Sequence, residues 1–164
     1  MILQQWIDQW KHKSPDVQVR VKTALDFLRN HYGNNDARIL GEIKCIDFSR
    51  PVSLPTLMRG EKLIGSKDPR ISPYRAIYFT RSGNPANRLG ISTESNLKTN
   101  PKIVEKVVNR YEVVVTIPTG QVLESTCAPA ADTWSIKGQQ VLAGGGGRQF
   151  LIPRINLYLR FIET

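Results

Sequence analysis

The chain has 164 residues, 40% of them hydrophobic and 23% charged, which is enough apolar material for one ordinary domain with a core and argues against disorder. Its 23 Lys and Arg against 14 Asp and Glu leave a net charge of +9, which points to an anionic partner: nucleic acid, a phosphate-bearing small molecule or an acidic protein. No apolar run approaches the roughly 18 residues of a membrane span, and the two cysteines, Cys45 and Cys127, are too few for a disulfide scaffold and lack metal-ligand spacing.

Met1-Ile2-Leu3 leads into Gln and Trp, so no signal peptide is expected. Residues 1 to 12 read as a short helix, with Ile2, Leu3, Trp6, Ile7 and Trp10 on one face. Ser14-Pro15-Asp16 is a helix start, with a Ser cap, Pro at the first helical position and an acid in the first turn. Val17, Val21, Leu25 and Leu28 form the apolar stripe, and Gly33 stands as the C-terminal cap. His12 and His31 fall in this helical portion without a nearby nucleophile or ligand cluster, so both read as surface or packing residues.

Asn34-Asn35-Asp36 is a turn, and a boundary between a helical region, 1–40, and a second unit, 41–164, is expected there. Ile43 to Phe48 is expected as a strand, and Ser49 to Pro55 as an extended crossing punctuated by prolines. Arg59 lies inside the apolar segment Leu57 to Gly65. A charge there must reach solvent, pair with an acid such as Glu61, or meet an anion. Ala76 to Thr80 is a β-rich strand and Arg81-Ser82-Gly83-Asn84-Pro85 a tight turn. Arg110 to Ile117 is the clearest strand, and its β-branched run predicts burial on both faces. Ser125 to Ser135, holding Asp132 and Trp134, reads as a polar loop that folds over a cleft. The tail, Arg154 to Ile162, alternates with period two and reads as a half-buried terminal strand.

The most unusual stretch is Gly144-Gly145-Gly146-Gly147 followed by Arg148-Gln149-Phe150-Leu151-Ile152-Pro153. Glycine loses the most backbone entropy on folding, so a run of it is kept where φ must be positive or where something approaches the backbone closely. The run passes at once into a buried strand, which puts Gln149 at the junction of a flexible crossing and a rigid sheet. A bare glycine-rich hairpin is the plainer reading of the same residues.

Taken together, several pieces resemble the tuberculosis necrotizing toxin family of NAD+ glycohydrolases, and the C-terminal domains of bacterial polymorphic toxins, over roughly residues 54 to 153. They are Leu54-Pro55-Thr56-Leu57-Met58-Arg59-Gly60, the strand and turn from Tyr78 to Arg88, Tyr111-Glu112-Val113 with Pro118, Ala131-Asp132-Thr133-Trp134-Ser135, and Gly145-Gly146-Gly147-Arg148-Gln149-Phe150. Each is short, and their shared order carries the likeness. It implies an α+β fold: an N-terminal helical entry or delivery region, then a small, bent antiparallel sheet, a split β-sandwich of the ADP-ribosyltransferase kind. It implies a toxin effector, secreted or delivered, that hydrolyses NAD+ to nicotinamide and ADP-ribose in the target-cell cytoplasm. NAD+ is then substrate rather than cofactor, and no metal is needed.

The same likeness implies roles. Gln149 and Arg59 would be catalytic. Arg59 and Arg88 would hold the diphosphate or a ribose. Phe79 would lie against the nicotinamide end, and Tyr78, Gly146, Gly147, Asp132 and Trp134 would complete the substrate site. It also implies a cognate immunity protein, acidic in view of the +9 charge, covering the cleft. An ADP-ribosyltransferase would want an acid near the acceptor, and Arg148-Gln149-Phe150 offers none. A toxin ribonuclease suits the positive charge, with Ser125, Thr126 and Asp132 as a polar site, but no histidine follows His31 to serve as its general base or acid. A non-catalytic binding module is a third reading.

Overall fold

The computed structural model describes residues 1–65, 69–70, 75–81, 111–132, 141–153 and 159–163. Its helices are α1 (Leu3–Asp8), α2 (Pro15–Tyr32) and α3 (Asp36–Ile43). Its strands are β1 (Lys62–Gly65), β2 (Ala76–Phe79), β3 (Tyr111–Val115), β4 (Leu123–Thr126), β5 (Ala130–Asp132), β6 (Val141–Ala143), β7 (Arg148–Pro153) and β8 (Leu159–Glu163). Two three-stranded antiparallel sheets, ordered β1-β3-β8 and β2-β7-β4, stand beside a small β5-β6 pair. This is the α+β arrangement with a split sheet.

The helices follow their local signals. Pro15 opens α2, and Gly33 ends it with φ 59, a value few other residues adopt cheaply. α1 is shorter than the expected 1–12 helix, and turns follow Asp8. Trp6, Trp10 and Phe48 gather with ring centroids 5.3 to 5.8 Å apart, which docks α1 onto the chain beyond α3. The strand expected from Ile43 is instead the end of α3, and only Ile46 pairs, through a single bridge to Cys127. Asn35 decides this locally: its side chain accepts from the Arg38 N–H and caps the helix. The expected boundary at residue 40 falls within α3.

The two sheets divide the core. Strand β2-β7-β4 residues Ala76, Leu123 and Leu151 join Leu25, Leu28, Ile39, Ile43 and Phe48 in one buried cluster under the helices. Ile77, Phe79, Phe150 and Ile152, on the other face, join Leu63, Val113 and Val115 in a second cluster between the sheets. A bridge between Ile64 and Thr80 links the sheets where they diverge. β3 alternates rather than burying both faces, with Val113 and Val115 buried and Glu112 and Val114 half-buried, because only one face meets the other sheet. The region expected as a polar loop carries the end of β4 and all of β5. The proline-punctuated crossing covers the free edge of β4, with Ser53 and Glu124 exchanging backbone hydrogen bonds of 3.0 and 2.9 Å.

Candidate active site

The glycine run is a turn that crosses the chain's own backbone. Gly145 and Gly146 hold φ 67 and 87. A Cβ on Gly145 would sit 2.7 Å from the Cys127 carbonyl oxygen and from the Ala128 carbonyl carbon, so the close approach is made by the end of β4. Gly146 N–H donates to the Cys127 carbonyl and Cys127 N–H to the Gly147 carbonyl, each at 2.8 Å. These bonds fix where β7 begins and therefore where Gln149 stands.

Gln149 is 3% exposed. It pairs in register with Ser125 of β4, itself 1% exposed. Its amide nitrogen donates to Ser125 Oγ and to the Cys45 carbonyl, both at 3.4 Å. No donor among the described residues reaches its amide oxygen. The polar group expected at a cleft mouth thus lies on the helix-facing side of β7, against the end of α3. Tyr78 shares that side, and its hydroxyl reaches the Glu42 carbonyl at 3.5 Å. Burial first, and the Glu42 carboxylate second, push the Tyr78 phenol well above its usual range, so it stays a neutral donor. Burial likewise pushes the Cys127 thiol up to about 12, with Cys45 adding to the shift, so Cys127 is not a ready nucleophile.

The other side of β7 carries Arg148 and Phe150 by alternation. Arg148 reaches Glu124 Oε1 at 3.1 and 3.4 Å, the Pro51 carbonyl at 2.6 Å and Thr126 Oγ1 at 3.1 Å. Thr80 Oγ1 donates to the Arg148 carbonyl at 2.6 Å. Arg81 lies over the Phe150 ring, 4.7 Å from its centroid, and pairs with Glu61 at 3.3 Å. Glu61 Oε1 also accepts the Met58 N–H at 2.9 Å, closing the turn that carries Arg59 into solvent. Among the described residues Arg59 makes no ion pair, and Glu61 takes Arg81 instead.

Of the residues expected in the site, Phe79 is 2% exposed in the inter-sheet cluster, while Tyr78 turns to the helices; the structure does not bring their side chains together. Gly146 and Gly147 hold the end of β4 through backbone bonds. Asp132 lies on β5 opposite Val141. Arg88 and Trp134 fall outside the described residues. The sequence offers Ser125 only for the ribonuclease reading and Glu61 only as a partner for Arg59, and it gives Arg81 and Arg148 no site role. Arg81 reads there as part of a turn, and Ser125 as part of a loop. The period-two alternation of β7, applied to β4, is the signal that puts Ser125 beside Gln149 and Glu124 on the side of Arg148.

A groove of about 440 Å³ lies elsewhere, between Phe27 and His31 of α2 and the loops bearing Leu54 and Gln121. His31 packs tilted against Phe27, with ring centroids 4.5 Å apart, and burial lowers its pKa. No described helix is long and apolar enough to cross a membrane.

The model of the bacterial toxin 46 family, Ntox46, matches residues 9–158. This chain belongs to that family. The match takes in α2 and α3 as well as β1 to β7. The toxin 46 chain is also similar to the NAD(P)(+) glycohydrolase toxin Tse6 of Pseudomonas aeruginosa, 34% identical over 104 residues. That stretch is 63% of this chain but 23% of the relative, so the chain spans less than a quarter of the relative's length. Among solved structures it resembles that of Tse6 in complex with Tsi6, with TM-score 0.55 and 25% identity, covering 91% of this chain and 98% of that one. The bacterial-toxin assignment and the α+β fold implied by the motif order both hold.

Proposed function

We propose that this chain is the toxin module of a delivered effector that hydrolyses NAD+ to nicotinamide and ADP-ribose in the cytoplasm of a target cell. The observation that carries the reading is its likeness, 34% identical over 104 residues, to an NAD(P)(+) glycohydrolase toxin. The nicotinamide leaves as a neutral group from a cationic one, through an oxocarbenium-like transition state, so the protein mainly has to position the ribose and support developing charge. In our reading Gln149 does this with its amide oxygen, to which no described residue donates. Arg59, exposed on the Met58–Glu61 turn, acts with Arg88 on the diphosphate, which a guanidinium fork matches well. NAD+ is then the substrate, with no separate cofactor. A cognate immunity protein, acidic to match the +9 charge, would reach the site quickly by electrostatic steering.

Purified protein incubated with NAD+, followed by product analysis, tests the reading. Free nicotinamide with ADP-ribose is the expected result. Label transferred to protein or nucleic acid would make the chain a transferase. Intact NAD+ beside degraded RNA would make it a nuclease.

A further inference from the structure

Two arginines stand at the inter-sheet edge, Arg148 at the start of β7 and Arg81 just past the end of β2, in very different situations. Arg148 is built into the fold, with its Nε and both terminal nitrogens engaged by Glu124, Pro51 and Thr126. Among the described residues Arg81 has one ion pair, 3.3 Å to Glu61, and its side chain is 58% exposed. An exposed pair of that length contributes little stability. The Phe150 ring, 4.7 Å from the guanidinium carbon, holds the cation by its face and leaves edge donors for a planar, two-pronged acceptor. Glu61 meanwhile ties Arg81 to the turn bearing Arg59, since its two oxygens accept from Arg81 and from Met58 N–H. Two guanidinium-bearing segments therefore flank one carboxylate at the edge where the sheets diverge.

We propose that Arg81 binds a phosphate group of the dinucleotide substrate, with Glu61 holding the guanidinium on Phe150 until that phosphate displaces it. The inference rests on the NAD+ reading above. Exchange is cheap because the bond given up is long and solvated, and the bond gained is to a doubly oxygenated anion. Glu61 also sets affinity, because its charge competes with the phosphate for the same cation.

Steady-state kinetics on NAD+ and on NADP+ test this with wild-type protein, R81Q and E61Q, each checked for folding by thermal melting. R81Q should raise KM about tenfold, the lower end of the range for a hydrogen bond to a charged group, and raise KM more than it lowers kcat. E61Q keeps an oxygen for the Met58 N–H and should lower KM severalfold. A rise for both dinucleotides assigns Arg81 to the diphosphate, and a rise for NADP+ alone assigns it to the 2′-phosphate; either outcome supports the proposal. Unchanged KM in R81Q overturns it. So does E61Q raising KM as much as R81Q, since that would make the ion pair, rather than the cation, the thing that matters. Wild-type protein that cleaves neither dinucleotide overturns the reaction itself, and this assignment with it.

Discussion

The two faces of β7 solve opposite problems with the same six residues. On the helix side, Gln149 and Leu151 meet the end of α3, and polar groups are taken deep inside: Ser125 is 1% exposed and Glu42 7%. They are tolerated near the end of α3, where the Glu42 and Cys45 carbonyls, each already bonded to a backbone N–H, use their second lone pairs to accept from Tyr78 and Gln149. On the inter-sheet side, Phe150 and Ile152 pack into an apolar cluster, with the Arg81 guanidinium over the Phe150 ring at its rim, and the charges of Arg81, Arg148, Glu61 and Glu124 stay at the edge with solvent in reach. A helix end can satisfy buried polar side chains. A second sheet, whose backbone is already paired within itself, offers them far less.

Substitutions on each face should separate these roles. Phe150→Ala should have the largest effect, costing about 3–5 kcal/mol of stability as a fully buried aromatic is removed from a tight cluster. Urea unfolding measures this, and a loss below about 1 kcal/mol would mean that the inter-sheet cluster is loosely packed. Gln149→Ala comes next. If the amide acts on the transition state, kcat falls by roughly 10²-fold, about 2.7 kcal/mol, with less change in KM. Because the residue is buried, some stability goes too, so the rate must be read on protein shown to be folded. Unchanged turnover would leave Gln149 a structural tie between β7 and α3.

Gly146→Ala should cost roughly 1–3 kcal/mol through its positive φ alone, since nothing lies within 4 Å of the added Cβ. Gly145→Ala should cost more, because its Cβ would overlap the Cys127 and Ala128 backbone at 2.7 Å. Equal melting temperatures for the two variants would show that the turn moves freely away from β4. Tyr78→Phe should be the mildest, about 0.5–1.5 kcal/mol for one hydrogen bond. It also bears on pH. The folded phenol titrates well above the unfolded one, which loses its proton at about pH 10. The unfolded state therefore releases its proton first, and stability present below pH 10 falls as pH rises beyond it. Tyr78→Phe should make that alkaline fall shallower, and a fall of the same steepness would place its origin elsewhere.

The sequence by itself determined the elements whose signals are local. Ser14-Pro15 and Gly33 bracket α2 because a proline start and a left-handed glycine stop act within a turn or two. Gln-Phe-Leu-Ile after four glycines reads as a strand, and Arg148–Pro153 is one. The order of short motifs also carried the toxin family. Tertiary structure alone decided what those elements face. Nothing near Gly145 in the chain says that Cys127 will lie under it, and nothing near Gln149 says that its amide will meet a helix end 104 residues away. Ser125 looked like a loop residue because β4 is short and its pairing with β7 is non-local. The span from Ile43 looked like a strand because apolar, β-branched residues suit either state until a cap such as Asn35 and the packing of α3 choose between them. Periodicity records which residues share a face. Only the folded chain supplies the neighbour that makes that face buried, charged or reactive.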